Sequence, residues 1–258
     1  MRKRIFNILI LLLFALLLQG GWGRAQDVLI VPHDATSLTE EQKNSNPTIL
    51  FYPLHMMGKM PEMRCYVEEE DDYVDLGLSV LWAICNVGAT TPEQYGDYFA
   101  WGETEPKEVY DWSTYKWCNG SYSTLTKYNN STNGTMDNKT TLDLSDDAAR
   151  ANLGGRWRMP TKAEQDELRE QCTWTWTTQN GVNGYTITGP NGNSIFLPAA
   201  GYRDGSSLYE AGSRGYYWSN SLYTGGPNFA YDLYFYSDNM GWGSYGRCVG
   251  FSVRPVRQ

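Results

Sequence analysis

The sequence predicts an α+β domain dominated by strands and loops, and three observations lead there. Helix-start signals followed by a helical run occur at only two places, around Ser145 and Thr161. Short apolar or alternating runs, punctuated by Gly, Asn, Ser and Pro, fill most of the rest and are densest after Trp174. Aromatic residues make up 14% of the 258-residue chain, with 19 Tyr and 10 Trp. The mean hydropathy is nevertheless negative, so many of these rings sit among polar neighbours, a setting that suits binding surfaces.

The chain opens with the basic segment Met1-Arg2-Lys3-Arg4, an apolar run over residues 5–18, and small and polar residues ending in Gly23-Arg24-Ala25. That order is a signal peptide over residues 1–25, with cleavage before Gln26. The apolar run, about 14 residues long, falls short of the roughly 20 that a membrane helix needs. Export to the periplasm, the cell surface or the exterior is therefore expected, with no transmembrane segment in the mature chain. Residues 26–72 combine a polar stretch, the apolar segment Ile49-Leu50-Phe51-Tyr52 and the acidic run Glu68-Glu69-Glu70-Asp71-Asp72. They read as an extended arm with one strand and a solvated acidic linker.

The domain itself is placed at residues 73–258. Residues 74–83 read as a strand that turns at Gly77, and residues 88–104, with Pro92, Gly96 and Gly102, as a turn-rich stretch holding one short strand. Residues 110–141 are rich in Asn, Ser, Thr, Tyr and Gly without apolar periodicity, which predicts a long surface loop. Ser145 is expected to cap a short helix over 146–152, stopped by Gly154-Gly155. Thr161 and Glu164 form a capping box that opens a helix over 162–172 with Leu168 in its buried stripe. Strands are expected at 185–188, Ser194–Pro198, Phe229–Tyr236 and 248–256. Along the third of these, alternation directs Phe229, Tyr231, Leu233 and Phe235 to the core and Ala230, Asp232, Tyr234 and Tyr236 to solvent.

Charge and residue inventory narrow the function. A net charge of −8 argues against nucleic acid, whose recognition relies on clustered Lys and Arg. The five cysteines, Cys65, Cys85, Cys118, Cys172 and Cys248, show no CxxC spacing, and no metal ligand set is expected. The two histidines, His33 and His55, precede the domain, which excludes a Ser/His/Asp or Cys/His machine within it. No catalytic residue and no cofactor is expected. An enzyme reading rests on carboxylate pairs alone, Glu103 with Glu105 or Asp204 with Glu210, acting on a glycosidic bond.

The most distinctive composition lies between Ser219 and Tyr245, where Tyr, Asn, Ser, Asp and Trp are spaced by glycines as in antibody paratopes. Tyr223, Asn228, Tyr234, Tyr236, Asn239, Trp242 and Tyr245 are the candidate contacts for a protein or glycan ligand, placed on late loops. The competing reading makes the same aromatics the stabilisers of a loop-rich cell-envelope module without a discrete ligand. A contiguous exposed aromatic patch favours the first reading, burial of those rings the second.

A series of motifs runs in order through the domain: Val74-Asp75-Leu76-Gly77-Leu78, Leu81-Trp82-Ala83 with Cys85-Asn86-Val87-Gly88-Ala89, Gly96-Asp97-Tyr98-Phe99-Ala100-Trp101-Gly102-Glu103, and Trp157-Arg158-Met159-Pro160-Thr161. Leu197-Pro198-Ala199-Ala200-Gly201-Tyr202-Arg203, Gly215-Tyr216-Tyr217-Trp218-Ser219 and Gly250-Phe251-Ser252-Val253-Arg254-Pro255-Val256 complete it. Over residues 73–256 the chain resembles the Fibrobacter succinogenes major paralogous domain family of exported Bacteroidetes proteins. The resemblance implies a C-type-lectin-like fold with paired terminal strands and ligand contacts carried by a long loop region. In retroelement-diversified relatives the varied residues fall in the segment before the last strand, where the Tyr and Asn candidates lie. With Trp82 taken opposite Phe251, the implied strand pairing sets Cys85 across from Cys248 as a candidate disulfide. Gly226-Pro227-Asn228 lacks the carboxylate of the calcium-binding lectin motifs, and only Cys248 stands near the end, where the oxidase relatives need two cysteines. Trp82, Trp101, Trp157 and Trp218 stand inside the motifs and are assigned to the core.

Overall fold

The computed structural model describes residues 72–258 apart from 133, together with the backbone of two short strands nearer the N terminus. The chain divides into two compact units, Met1–Val67 and Glu68–Gln258. In the first, β1 (Leu29–Pro32) pairs in parallel with β2 (Ile49–Tyr52), Leu29 beside Ile49 and Pro32 beside Tyr52. The second of these is the apolar segment read as a strand; the first is an addition to that reading. The signal-peptide segment and the acidic linker up to Asp71 lie outside the described residues.

The second unit is a mixed, sheet-rich structure with two short helices. Its sheets begin with β3 (Tyr73–Val74) and β4 (Leu81–Ala83), antiparallel and joined through a turn in which Gly77 has φ +76°. On the other edge of β4 lies β13 (Val256–Arg257), so the last strand of the unit pairs antiparallel with its second. Val256 stands opposite Trp82, and both are almost fully buried. This corrects the expected register, since Phe251 bridges to Phe99 instead. Further along, Val87 N–H donates to Val253 O at 3.0 Å, which carries the C-terminal segment past Cys85 with Cys248 well out of reach. Both thiols are free, and the expected Cys85–Cys248 disulfide is absent.

Three further antiparallel arrangements follow. β5 (Thr173–Gln179), β6 (Val182–Thr188) and β7 (Ser194–Pro198) form one sheet in that order. β8 (Tyr202–Asp204) and β9 (Ser207–Tyr209) form a hairpin, and β10 (Arg214–Leu222), β11 (Phe229–Tyr236) and β12 (Asn239–Gly246) form a second three-stranded sheet.

The helices obey local rules with one correction. A single 3-10 turn at Leu144–Asp146 takes up the residues expected to start the first helix, and α1 (Ala148–Leu153) is capped by Asp147 in place of Ser145. The Asp147 carboxylate accepts Arg150 N–H at 3.0 Å and also Met159 N–H at 2.8 Å, tying the helix start to the next motif. α2 (Lys162–Gln171) opens with the complete capping box: Thr161 Oγ1 accepts Glu164 N–H at 3.2 Å, and the Glu164 carboxylate accepts Thr161 N–H at 2.8 Å. Arg158 donates to both oxygens of that carboxylate, at 2.8 and 2.6 Å, and Leu168 is fully buried as the stripe requires.

Residues 110–141 form the long surface loop expected of them, without regular structure, but it is anchored from within. Tyr110, Tyr115, Cys118, Leu125 and Tyr128 are buried in the same apolar cluster as Trp101 and Trp218. Their hydroxyls replace the missing backbone ladder: Tyr115 donates to Trp101 O and Tyr110 to Tyr98 O, both at 2.6 Å. A second cluster, around Trp82, Leu168, Tyr185, Tyr217 and Phe235, lies under β5–β7 and α2. Trp82, Trp101, Trp157 and Trp218 are all buried.

Two arginines, Arg247 and Arg254, are buried to within 1% and form no ion pair with a carboxylate among the described residues. Arg247 lies among the rings of Trp101, Tyr115 and Tyr128, with its guanidinium carbon 5.1, 5.2 and 6.0 Å from their centroids. It donates to Tyr115 Oη at 2.9 Å and to the carbonyls of Tyr128, Pro227 and Lys127 at 2.9, 2.7 and 3.0 Å. Arg254 donates to Asn86 Oδ1 and to the carbonyls of Ala83, Ile84 and Phe196, between 2.8 and 3.1 Å. Burial lowers its pKa to about 10, which leaves it charged at neutral pH.

A lysine cannot reproduce a four-acceptor fork. Arg247→Lys is expected to lower unfolding free energy by roughly 3 kcal/mol, read by urea titration, and an unchanged midpoint would refute the bracing role. The thiols give a second check. Burial pushes the Cys248 thiol up to about 12, so brief iodoacetamide treatment of the native protein should leave Cys248 unmodified. Non-reducing peptide mapping should contain no Cys85–Cys248 cross-link; finding one would overturn the strand register described above.

Candidate functional site

The β10–β11–β12 sheet carries most of the candidate contacts, and its register fixes which of them share a face. Across β11, Trp218 and Gly243 flank Asp232, Tyr216 and Gly241 flank Tyr234, and Leu233 stands between Tyr217 and Trp242. Ala230 and Tyr234 pack against the first apolar cluster, Leu233 and Phe235 belong to the second, so both faces of β11 are covered along much of its length. The expectation that Ala230, Asp232 and Tyr234 face water is thereby corrected. Sheet strands with two covered faces lose the one-sided alternation from which that expectation was drawn.

The covering stops short at one end. α2 begins at Lys162, whose N–H donates to Ser221 Oγ at 3.2 Å, and Gln165 Nε2 donates to the Tyr217 and Trp218 carbonyls at 3.1 and 3.2 Å. Around this helix end four rings form a connected row. Tyr223 meets Phe229 at 6.5 Å between centroids and Tyr231 at 5.2 Å, and Tyr231 meets Trp242 at 5.6 Å, all edge to face. Trp242 is 49% exposed and Phe229 38%, while Tyr223 and Tyr231 are half-buried. The Lys162 ammonium lies 5.3 Å from the Tyr231 ring and 5.0 Å from that of Trp242, and pairs with the Asp166 carboxylate.

Two backbone features hold this row. Tyr223 N–H donates to Phe229 O at 3.1 Å, closing the segment between β10 and β11, and Arg247 grips Pro227 O from beneath. Asn228 contributes its carbonyl, which accepts Arg247 N–H at 3.1 Å.

Of the seven candidate contacts, then, Tyr223 and Trp242 come together in the row. Tyr234 and Tyr245 lie on the opposite face; Tyr245 packs 5.6 Å from Tyr202 and 5.3 Å from Phe251. Tyr236 and Asn239 sit at the hairpin end, where Asn239 Nδ2 donates to Tyr236 Oη at 3.2 Å and Arg214 stands 5.3 Å from the Tyr236 ring. Most of these positions lie on strands, not on the late loops expected for them. Phe229 and Tyr231, expected in the core from alternation, are instead partly open to solvent, and Lys162 joins them from the helix start. The period-2 spacing of Phe229 and Tyr231 did place them on one face; what it could not supply was where that face is left open.

One member of each carboxylate pair has structural partners. Glu103 is buried and accepts Lys107 Nζ at 2.9 Å and Lys116 N–H at 2.8 Å, while Glu210 accepts Tyr216 Oη–H at 2.7 Å. Among the described residues no three His, Cys, Asp or Glu side chains converge as a metal site, and no helix is long and apolar enough to cross a membrane. No family model, curated protein or solved structure matches the chain.

Asp232 is the one buried acid in this sheet. It is 2% exposed, its Oδ1 has no hydrogen-bond partner, and burial alone raises its pKa to about 8. The folded state therefore binds this proton more tightly than the unfolded one. The resulting stability is full below about pH 4, where both states are protonated, and is lost as pH rises toward about 8. Asp232→Asn should raise Tm by about 3 °C or more near pH 8 and converge with the parent near pH 4. A Tm difference that does not change with pH would show that the carboxyl is not held neutral.

Proposed function

We propose that this chain is a secreted or cell-surface binding module that recognises a protein or glycan through the aromatic row Phe229, Tyr223, Tyr231 and Trp242. The observation that carries this reading is an exposed, contiguous group of rings on a rigid strand pair, beside a cation tethered at a helix start. Solvent-facing rings in an unbroken patch are costly to leave wet unless a partner covers them. Trp and Tyr give contact area at little entropic cost, and their faces suit either the C–H side of a sugar ring or an apolar protein anchor. We place the domain in the Fibrobacter succinogenes major paralogous domain family and assign it a C-type-lectin-like fold. The ordered sequence motifs and the antiparallel pairing of the last strand with β4, near the start of the unit, support both assignments.

A second reading, a structural envelope module, draws on a specific observation: Tyr234 and Tyr245, two of the candidate contacts, are packed into the first apolar cluster. The two readings diverge at Trp242, which contributes little to folding and much to a wet face. Screened on glycan and surface-protein arrays, the full chain should bind a ligand that Trp242→Ala binds at least about tenfold more weakly, with the same Tm. Equal binding by the variant would remove the row as the site. No ligand for either form would favour the envelope reading.

A further inference from the structure

A cavity that none of the four rings of the aromatic row lines lies around Arg203. Asp97, Tyr98, Lys107, Glu108, Tyr110 and Arg203 line a cavity of about 290 Å³. That is small for a ligand pocket and suited to a single sugar ring or a molecule of similar size.

Its floor is fixed before any ligand arrives. Tyr98 Oη–H donates to Ala200 O and Tyr110 Oη–H to Tyr98 O, both at 2.6 Å, and Lys107 N–H donates to Tyr110 Oη at 3.1 Å. Both hydroxyls are thus spent on the backbone, and both rings are buried beneath the cavity. Tyr110 exchanges backbone bonds with Gly205 at 2.8 and 3.0 Å, and Arg203 with Gly250 at 2.8 and 2.9 Å. Gly250 is required there, because a Cβ would stand 2.6 Å from the Tyr110 ring.

The polar groups are of two kinds. Lys107 is already committed to Glu103 and to Thr114 O. Arg203 lies 5.3 Å over the Tyr98 ring, and its guanidinium has no hydrogen-bond or ion-pair partner among the described residues, unlike Arg158, Arg247 and Arg254. Asp97 and Glu108 are exposed and their carboxylates are likewise unengaged. A planar fork with free donors takes a carboxylate, and ionised carboxylates accept only, so they require donors from the ligand. Sulfate or phosphate would meet two acidic groups while offering them little, and a neutral sugar would leave the guanidinium charge unanswered.

The geometry points to a subsite for a hydroxylated carboxylate, a sugar acid, with its carboxylate on Arg203 and its hydroxyls donating to Asp97 and Glu108. This site does not depend on the aromatic row, so it stands or falls separately.

Titration of the full chain with glucuronate, glucose, sulfate and glycine, followed by saturation-transfer NMR, tests it. Glucuronate should bind with a Kd of about 1 mM or tighter and at least tenfold better than the other three. Arg203→Gln should abolish this, Asp97→Asn with Glu108→Gln should weaken it severalfold, and Trp242→Ala should leave it unchanged. Absence of saturable glucuronate binding, equal binding of glucose, sulfate or glycine, or retention in Arg203→Gln would each overturn the assignment. The exposed Asp97 and Glu108 pair keeps the test decisive if Arg203→Gln does not fold, since unaltered binding in that double variant also defeats it.

Discussion

Arg247 is the interaction on which the loop-rich half of the domain depends. It brings a charge into the first apolar cluster with no carboxylate to neutralise it, an arrangement that costs several kcal/mol unless the donors are satisfied. Four of its five N–H donors are satisfied, by the Tyr115 hydroxyl and by three carbonyls from two segments far apart in sequence, around Tyr128 and around Pro227. Neither segment has a helix or sheet to occupy its backbone acceptors, so a single planar side chain does for both what a ladder does elsewhere. The consequence reaches the surface. By gripping Pro227 O, Arg247 sets the loop whose ends are Tyr223 and Phe229, two of the four rings in the exposed row. Arg254 plays the matching part for the second cluster, connecting the end of β4 with β7.

Tyrosine and tryptophan extend the same logic. Trp101 Nε1 donates to Ser219 O and Trp218 Nε1 to Phe99 O, both at 2.8 Å, while Tyr217 Oη–H donates to Pro198 O at 2.7 Å. Each residue buries a ring and satisfies a distant carbonyl in one stroke, which is how a chain of negative mean hydropathy supports two apolar clusters. Much of the 14% aromatic content is thus spent inside the molecule, and only part of it is free for recognition. The tyrosine-rich stretch from Ser219 to Tyr245 divides accordingly, with Tyr234 and Tyr245 turned inward and Tyr223, Tyr231 and Trp242 turned out.

What could be read from the sequence was whatever is decided within a few residues. The capping box at Thr161 and Glu164 is local chemistry, and the helix begins where it says. The strands Ser194–Pro198 and Phe229–Tyr236 have compact apolar runs and end where those runs end. β12 escaped notice because Gly241, Gly243 and Gly246 break its alternation, and it exists because β11 supplies the partner. The inner anchors of the loop over residues 110–141 escaped notice for the same reason: they are rings that meet partners over a hundred residues away, such as Tyr115 with Arg247. The terminal-strand register slipped for want of the burial of Val256 against Trp82, which selects it over Phe251.

The aromatic row shows where such local reading stops. Phe229, Tyr231, Leu233 and Phe235 follow one another on a single face of β11 with the same spacing and similar chemistry, and nothing in the strand distinguishes the first pair from the second. Their fates are divided by other elements. α2 packs on the sheet and starts at Lys162, held there by the capping box and by the bond from its own N–H to Ser221. Leu233 and Phe235 fall in the second apolar cluster, while Phe229 and Tyr231 emerge beside the helix start, with the Lys162 ammonium over Tyr231. The reach of α2 and of the β5–β7 sheet, whose Trp174, Trp176 and Tyr185 rings meet Phe235, therefore decides which rings are core and which are surface. A site of this kind is specified jointly by a strand pattern and by the distant elements packed on it, and it becomes visible only when these are superposed in space.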